Sequence, residues 1–325
     1  MASTTTTTTT VEDLPADVLA CALRRLDGRS LAAASCATAG LRALAADPDT
    51  WRALCLARWP SLLAARPDLL SSSSAVSPQR LFADAFPFPC LPVDAAADAA
   101  PLAGPELPSE LVSAVDLYHG GAPLLSRVVE TAASSTWFLS SPFRVDAVEC
   151  KSPAPIVGLG LGPGRAGGAV AAPAELELSW IVVEPRGGRA VNVSSRRPVA
   201  VDRHWYTGEA LVRYAVVLGG CKFEATVTCS EETGSVREIS LAVEDADGAA
   251  VSGEGTLRLL AAAMAGPRKG GDGQEETAKR RYEEFVRSKR VRKESKARKE
   301  VLVDLCCSAV SAVAVLSFVA AVVLR

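Results

Sequence analysis

Nine cysteines and two histidines are the side chains best suited to metal or nucleophilic chemistry, and their spacing withholds both. No two cysteines stand as C-x-x-C, and His119 and His204 have no partner at zinc-ligand spacing, so no metal is expected. An odd, scattered set of cysteines reads as a reducing, cytosolic setting. Gly162-Pro163-Gly164-Arg165-Ala166-Gly167 satisfies G-x-G-x-x-G in form. A dinucleotide needs that turn to open a helix whose N-terminus meets the pyrophosphate, whereas here it runs through Gly168 into Ala171-Ala172-Pro173 and a strand. No G-x-x-x-x-G-K-[ST] or G-x-S-x-G is present, and no spacing supports a Ser/His/Asp group around His204. The sequence predicts no catalytic centre and no cofactor, so the activity must lie in what the chain binds.

Binding candidates do stand out. Ser179-Trp180, Ser194-Ser195-Arg196-Arg197-Pro198 and Asp202-Arg203-His204-Trp205-Tyr206 concentrate aromatic and basic groups near strand ends and loops, where binding residues collect on a β scaffold. Trp180, Arg196, Arg197, Arg203, His204 and Trp205 thus form a candidate ligand surface; the competing reading has both tryptophans packed and the arginines solvated. The scaffold that would position them is a strand-rich region, residues 109–265. Phe223, Ala225, Val227 and Cys229 alternate with Lys222, Glu224, Thr226 and Thr228, and Ile239, Leu241 and Val243 alternate with Ser240 and Glu244. Leu211–Leu218 is an apolar strand of its own. Gly219-Gly220, Thr233-Gly234, Asp247-Gly248 and Pro185–Arg189 mark turns, so an antiparallel meander folded into a sandwich is expected.

Ahead of this region, residues 12–60 carry three helical patterns. In the first, Val18, Leu19, Ala22, Leu23 and Leu26 share a face behind Pro15, with Glu12, Asp13 and Asp17 at the positive end and Arg24 and Arg25 at the negative end. Ser30–Ala46 is an Ala-rich second helix, and Asp47-Pro48 opens a third bearing Trp51, Leu54, Cys55 and Trp59. Three such short helices cannot bury a stable core alone and need a partner surface.

On Leu14-Pro15, Val18-Leu19, Leu23, Leu26, Leu31, Ser35-Cys36, Leu41, Leu44, Trp51 and Leu54-Cys55, the segment resembles an F-box, and Trp59-Pro60-Ser61-Leu62 extends the likeness to plant F-box proteins. The resemblance implies docking on an Skp1-like adaptor, and through it on a cullin, by Leu14, Pro15, Val18, Leu19, Leu23, Leu26, Leu31, Leu41, Trp51 and Leu54. It implies that the rest of the chain holds a protein substrate of unknown identity. A RING ligase acting alone would need the paired Cys and His ligands that are absent here, so ubiquitin transfer would be borrowed. The role expected is a non-catalytic adaptor.

Charge is divided unevenly. Residues 279–325 hold 12 Lys and Arg against 5 Asp and Glu, a balance of +7, which leaves −9 for residues 1–278. An acidic body argues against nucleic acid as a partner. The basic cluster Lys289, Arg290, Arg292, Lys293, Lys296, Arg298 and Lys299 precedes an uncharged run, Leu305–Leu324, about as long as a bilayer span of roughly 20 residues. Leu305, Val310, Val313, Leu316, Phe318 and Val322 leave no polar face on that run, so a tail anchor with a cytosolic N-terminus is expected. The basic cluster would then meet anionic lipid head groups. Glu275/Lys279, Glu276/Arg280, Glu283/Arg287 and Glu294/Arg298 fall at i,i+4, and no Gly or Pro occurs from Gln274 onward, which allows one continuous helix. Cys306 and Cys307 stand where palmitoylation could occur. The sequon Asn192-Val193-Ser194 would stay in the cytosol, unmodified.

The expected organisation is α+β. A Thr-rich disordered tail (1–11) leads into a three-helix F-box (12–60), a linker with a short helix at Ser77–Phe86 (61–108) and the β-rich recognition domain (109–265). A second linker (266–278), a basic helix (279–300) and a transmembrane anchor (301–325) complete it. The membrane would be the endoplasmic reticulum or another endomembrane in preference to the plasma membrane, with cytoplasm or nucleus the location if the run is no span. The alternative function is a membrane-anchored lectin-like or scaffold protein without ligase activity.

Overall fold

The computed structural model describes residues 14–64, 69–71, 74–90, 107–149, 173–230, 235–270 and 273–324. The Thr4–Thr10 run, the Gly162–Gly167 pattern, the Thr233-Gly234 turn and most of Pro87–Pro108 lie outside the described residues.

Behind Pro15 comes α1 (Ala16–Leu23), then α2 (Gly28–Ala37), whose cap Asp27 accepts from Ser30 N at 2.8 Å. The single helix predicted for Ser30–Ala46 is two. Thr38 turns extended (φ −143°, ψ 163°) and its Oγ1 accepts from Leu41 N at 3.2 Å, capping α3 (Ala39–Ala45). A β-branched hydroxyl that satisfies a free helix-start amide favours a new N-terminus over a continued helix. Asp47 and Pro48 open α4 (Pro48–Arg58) as their types predict, and Trp51 Nε1 donates to Ala45 O at 2.7 Å, tying α4 to α3. After α5 (Ser61–Ala64), α6 (Pro78–Ala85) brings Phe82 into a ring cluster with Trp51 (5.5 Å), Trp59 (5.7 Å) and Phe86 (5.0 Å).

The β region begins with β1 (Phe88–Pro89), β2 (Glu110–His119) and β3 (Ala122–Ala132). It continues through α7 (Thr136–Ser140), β4 (Arg144–Val148), β5 (Leu176–Glu184), β6 (Arg189–Asn192) and β7 (Ala200–Arg203). The meander proper is β7, β8 (Ala210–Leu218), β9 (Cys221–Cys229) and β10 (Val236–Glu244), followed by α8 (Gly253–Ala265), β11 (Arg268–Lys269) and α9 (Gln274–Val323). Antiparallel pairing gives one sheet ordered β3-β2-β5-β6, a second ordered β4-β10-β9-β8-β7, and a small β1-β11 pair. Gly219-Gly220, both at positive φ, make the predicted two-residue turn between β8 and β9.

Two apolar clusters set the layering. Val115, Leu117, Trp180 and Val182 of the first sheet meet Tyr214, Val216, Phe223, Val227 and Leu241 of the second, and α8 adds Leu257 and Leu260 to this core. The opposite face of the first sheet offers Val112, Ala114, Ile181, Val183 and Ala190 to Trp51, Trp59, Leu81 and Phe82. The α+β architecture is therefore layered as helices α1–α6, first sheet, second sheet, then α9 on the outer face of the second sheet. β2 alternates toward two buried surfaces, which is why eight of its ten residues are buried.

Gly188 sits in the loop that meets the segment before α6. Its φ is +63°, and a Cβ would fall 2.2 Å from the Ala75 carbonyl oxygen. Gly188→Ala should therefore cost about 2–4 kcal/mol, strain plus clash, read as a lower unfolding midpoint. Gly120→Ala, at φ +55° with open space around it, should cost only about 1–2 kcal/mol.

Candidate functional site

Three surfaces could receive a partner. The first is α1. Eight residues make only two turns, and they turn Leu23 inward, which leaves Leu14 and Val18, one turn apart, 47% and 49% exposed. Pro15 is exposed beside them, while Leu19, Leu26, Leu41 and Leu54 are half-buried. Leu23, Leu31 and Trp51 are buried and build the helical module. The ten residues expected to dock thus divide into an open apolar face and the core that holds it in shape. Leu14, just ahead of α1, and Val18 on it present a small apolar face to water.

The helices are fixed to the first sheet by polar groups. Asp116, fully buried on β2, accepts from Ser61 N (2.8 Å), Ser61 Oγ (2.6 Å) and Ser126 Oγ (2.6 Å). Burial raises its carboxyl above the ordinary 3.8 despite these donors. Trp59 Nε1 donates to Ser179 Oγ at 3.0 Å, and Tyr118 OH donates to Arg58 O. Burial pushes the Tyr118 phenol up to about 12, which keeps it a donor. On the other side of the seam, Arg189 Nε bonds Asp84 Oδ2 at 2.8 Å, and Arg268 reaches Asp84 O together with the carbonyls of Ala263, Gly266 and Met264 at the end of α8.

The expected ligand surface is divided by the fold. Trp180 lies wholly inside the inter-sheet core. Arg196 stacks over the Tyr118 ring at 4.3 Å, bonds Glu177 at 2.7 Å, and offers its backbone amide, with that of Arg197, to the Glu275 carboxylate at 3.1 Å. It joins α9 to the sheet. Arg203, His204 and Trp205 stay together at the β7–β8 hairpin, where Trp205 is 90% exposed and stands 5.6 Å from Tyr206, itself exposed. His204 Nδ1 accepts from Thr207 N at 3.2 Å, a bond that shapes the turn. Trp137 on α7 was not among the expected residues. It follows Ser134-Ser135-Thr136 in a region read as strand, where the Ser135 hydroxyl caps a helix too short for periodicity to reveal.

The third surface is α9. As the missing breakers predict, it is one helix of 50 residues. Its first half covers the polar face of the second sheet. Lys222, its side chain only 7% exposed, bonds Glu224 (2.6 Å) and Glu244 (2.9 Å) beneath the rings of Tyr282 and Phe285. Lys289 reaches Glu244 at 3.0 Å, while Arg292 and Lys296 reach Asp247 at 3.8 and 3.0 Å. Burial alone would raise Glu244, but bonds from Lys222 and Lys289 outweigh it and hold the carboxyl low; Lys296 does the same for Asp247. Arg290 pairs with Glu294, and Lys293, Arg298 and Lys299 are exposed. Glu275, expected opposite Lys279, turns instead to the Arg196 and Arg197 amides. Beyond, Leu305, Val310, Val313, Leu316 and Val322 are exposed, as are Cys306 and Cys307, and the window there has a mean hydropathy of 2.4 with no part buried. The helix is long and apolar enough to cross a membrane. The Phe318 side chain lies outside the described part.

Among the described residues, no group of three or more His, Cys, Asp or Glu could hold a metal. Burial raises the Cys55 thiol to about 12, far from a reactive thiolate.

Comparison with known proteins adds relatives of nearly full length. "Probable F-box protein At2g36090" of Arabidopsis thaliana is 37% identical over 87% of this chain and 84% of its own length. "F-box protein At3g44326" from the same plant is 38% identical over 85% and 80%, and "F-box protein At2g27310" is 33% identical over 88% of each. No family model and no solved structure matches the chain.

Proposed function

The chain belongs to the plant F-box proteins, and from that premise we propose that it is the substrate-recognition subunit of an Skp1-cullin-F-box ubiquitin ligase, held at a membrane with its body in the cytosol. The observation that carries the reading is the open face of Leu14, Pro15 and Val18, supported from behind by Leu23, Leu31 and Trp51. An Skp1-like adaptor covers that face and brings the cullin with it. Residues 12–60 dock, residues 109–265 select, and residues 301–325 anchor. Arg203, His204 and Trp205, with Tyr206, present an aromatic and basic hairpin to the substrate, and aromatic side chains carry much of the binding energy in such contacts.

The mechanism is proximity. A receptor that holds substrate beside a ubiquitin-charged enzyme raises its effective concentration and makes no covalent bond itself. Anchoring on the bilayer confines the search to proteins at or near that membrane face. The experiment is co-purification with Skp1. Leu14→Ala with Pro15→Ala should abolish it while leaving the unfolding midpoint unchanged, since both side chains are exposed; undiminished Skp1 recovery would remove α1 as the docking face.

A further inference from the structure

The pairing of the first sheet leaves one long edge open. Val193 N donates to Trp180 O and Trp180 N donates to Ser194 Oγ, so the even-numbered residues of β5 turn their backbone groups toward β6 and the odd-numbered ones toward β2. Through Ala114↔Ile181 and Asp116↔Ser179 the even-numbered residues of β2 bond β5, which leaves Leu111, Ser113, Val115 and Leu117 to bond β3. Their partners are Thr131, Val129, Arg127 and Leu125, and Ala133 N, which donates to Ser109 O, continues the same phase. Ser126 and Val128 therefore point both N–H and C=O out of the sheet. No backbone group among the described residues meets them.

This edge is long and plain. β3 runs 11 residues, whereas β4 has 5 and β7 only 4. Proteins blunt sheet edges with shortness, proline or bulges. Here Pro123 and the bulge opposite Leu117 and Tyr118 disturb only the first end of β3, and Ser126–Val129 stays regular. The side chains on either side say what fits. α5 lies over β3, with Leu63 64% exposed on it and Val128 half-buried against the helical cluster. On the opposite face Arg127 is exposed and pairs with no carboxylate among the described residues. A row of unmet donors and acceptors is satisfied by another extended backbone, whose alternate side chains reach the two faces. We propose that the outer edge of β3 takes an extended substrate segment as a fifth strand of the first sheet, with an apolar residue toward Leu63 and Val128 and a Glu or Asp toward Arg127. The proposal rests on the substrate-receptor reading and names the substrate class, an unfolded segment or tail. It adds a site to the β7–β8 hairpin, which lies at the end of the other sheet.

The probe is a synthetic peptide of about ten residues, valine alternating with threonine and one threonine replaced by glutamate, added in excess to the detergent-solubilised full chain. Residue-resolved hydrogen exchange should find the Ser126 and Val128 amides fast in the free chain and slowed at least about tenfold by the peptide, with the inward amides of Arg127 and Val129 slow throughout. Val128→Pro removes an outward N–H and no bond of the β2–β3 ladder, so it should keep Skp1 recovery and weaken the peptide at least about tenfold. Arg127→Glu, at an exposed side chain, should weaken it severalfold, and a peptide with lysine in place of its glutamate should restore binding to that variant. Slow exchange at Ser126 and Val128 in the free chain, as monomer or dimer, would mean that the edge is already paired and would overturn the proposal. Fast exchange that the peptide leaves unchanged would overturn it too, as would undiminished binding by both variants. Peptide bound at β3 in a chain that recovers no Skp1 would overturn the receptor reading and leave the strand-addition site standing.

Discussion

Asp116→Ala lowers the unfolding free energy by about 3 kcal/mol and loosens the helices from the first sheet, while Asp116→Asn loses about half as much. The alanine leaves Ser61 N, Ser61 Oγ and Ser126 Oγ without their shared acceptor. A buried donor left unpaired costs roughly 1–3 kcal/mol, and the two hydroxyls recover part of that by rotating to other acceptors. Asparagine keeps one oxygen in place. The effect also has a sign in pH. The folded pKa of Asp116 lies above the unfolded 3.8, so the folded chain binds the proton more tightly, and the contribution of Asp116 to stability falls as pH rises from 3.8 through the folded value, then stays level. Asparagine does not titrate, so its deficit against wild type is largest on the acid side and narrows as pH rises through that window. Glu244 runs the other way: its pKa is depressed, so its stabilisation is present above the ordinary 4.5 and is lost as pH falls through the folded value. It is common to both proteins and cancels in the difference. Urea unfolding of the detergent-solubilised chain at several pH values measures both, and a deficit that widens with pH would refute the burial argument.

The same residue shows where sequence reading stops. Period two was legible in β9 and β10, because Phe223, Ala225 and Val227 point into one core and their polar neighbours point away. Caps and breakers were legible too: Asp47-Pro48 starts α4, Gly219-Gly220 turns a hairpin, and the absence of Gly and Pro lets α9 run unbroken. What periodicity cannot tell is what lies beyond the polar face. On β2 that face carries Asp116 and Tyr118, and it meets α4 and α5 rather than water. On β9 it carries Lys222 and Glu224, and α9 seals it. A polar residue at an outward position reads as solvated until a second element is known to cover it. Arg196 and Trp180 were legible as unusual residues but not as interior ones, since stacking on Tyr118 and burial between sheets depend on pairings far apart in sequence. The helix of α1 was legible because its apolar spacing and Pro15 are local signals, whereas which of its leucines turn inward, Leu23 among them, depends on the helices packed behind it. Thr38, whose hydroxyl splits one expected helix in two, was visible as a residue type whose local bond competes with the helix.

Ending the chain after Lys299 should move it from carbonate-resistant membranes to the soluble fraction. The basic cluster alone cannot hold it there. Near an anionic surface each Lys or Arg is worth about 1 kcal/mol. Lys289, Arg292 and Lys296 are engaged by Glu244 and Asp247, and Arg290 by Glu294, leaving Lys293, Arg298 and Lys299. Three such charges give about 3 kcal/mol, a millimolar-scale attraction that salt and alkali remove. A spanning helix is held by the burial of some twenty apolar residues, which is effectively irreversible. Because Tyr282, Phe285 and Lys289 lie before the cut, the truncated chain keeps α9 docked on the second sheet. Its unfolding midpoint and Skp1 recovery should match the full chain, so lost membrane binding cannot be laid to a damaged body. Washed membranes that retain the truncated chain as well as the intact one would dismiss Leu305–Leu324 as the anchor. Loss of the anchor with Skp1 binding intact would instead separate the two ends of the molecule: α1 chooses the ligase, and the distal half of α9 chooses the surface on which it works.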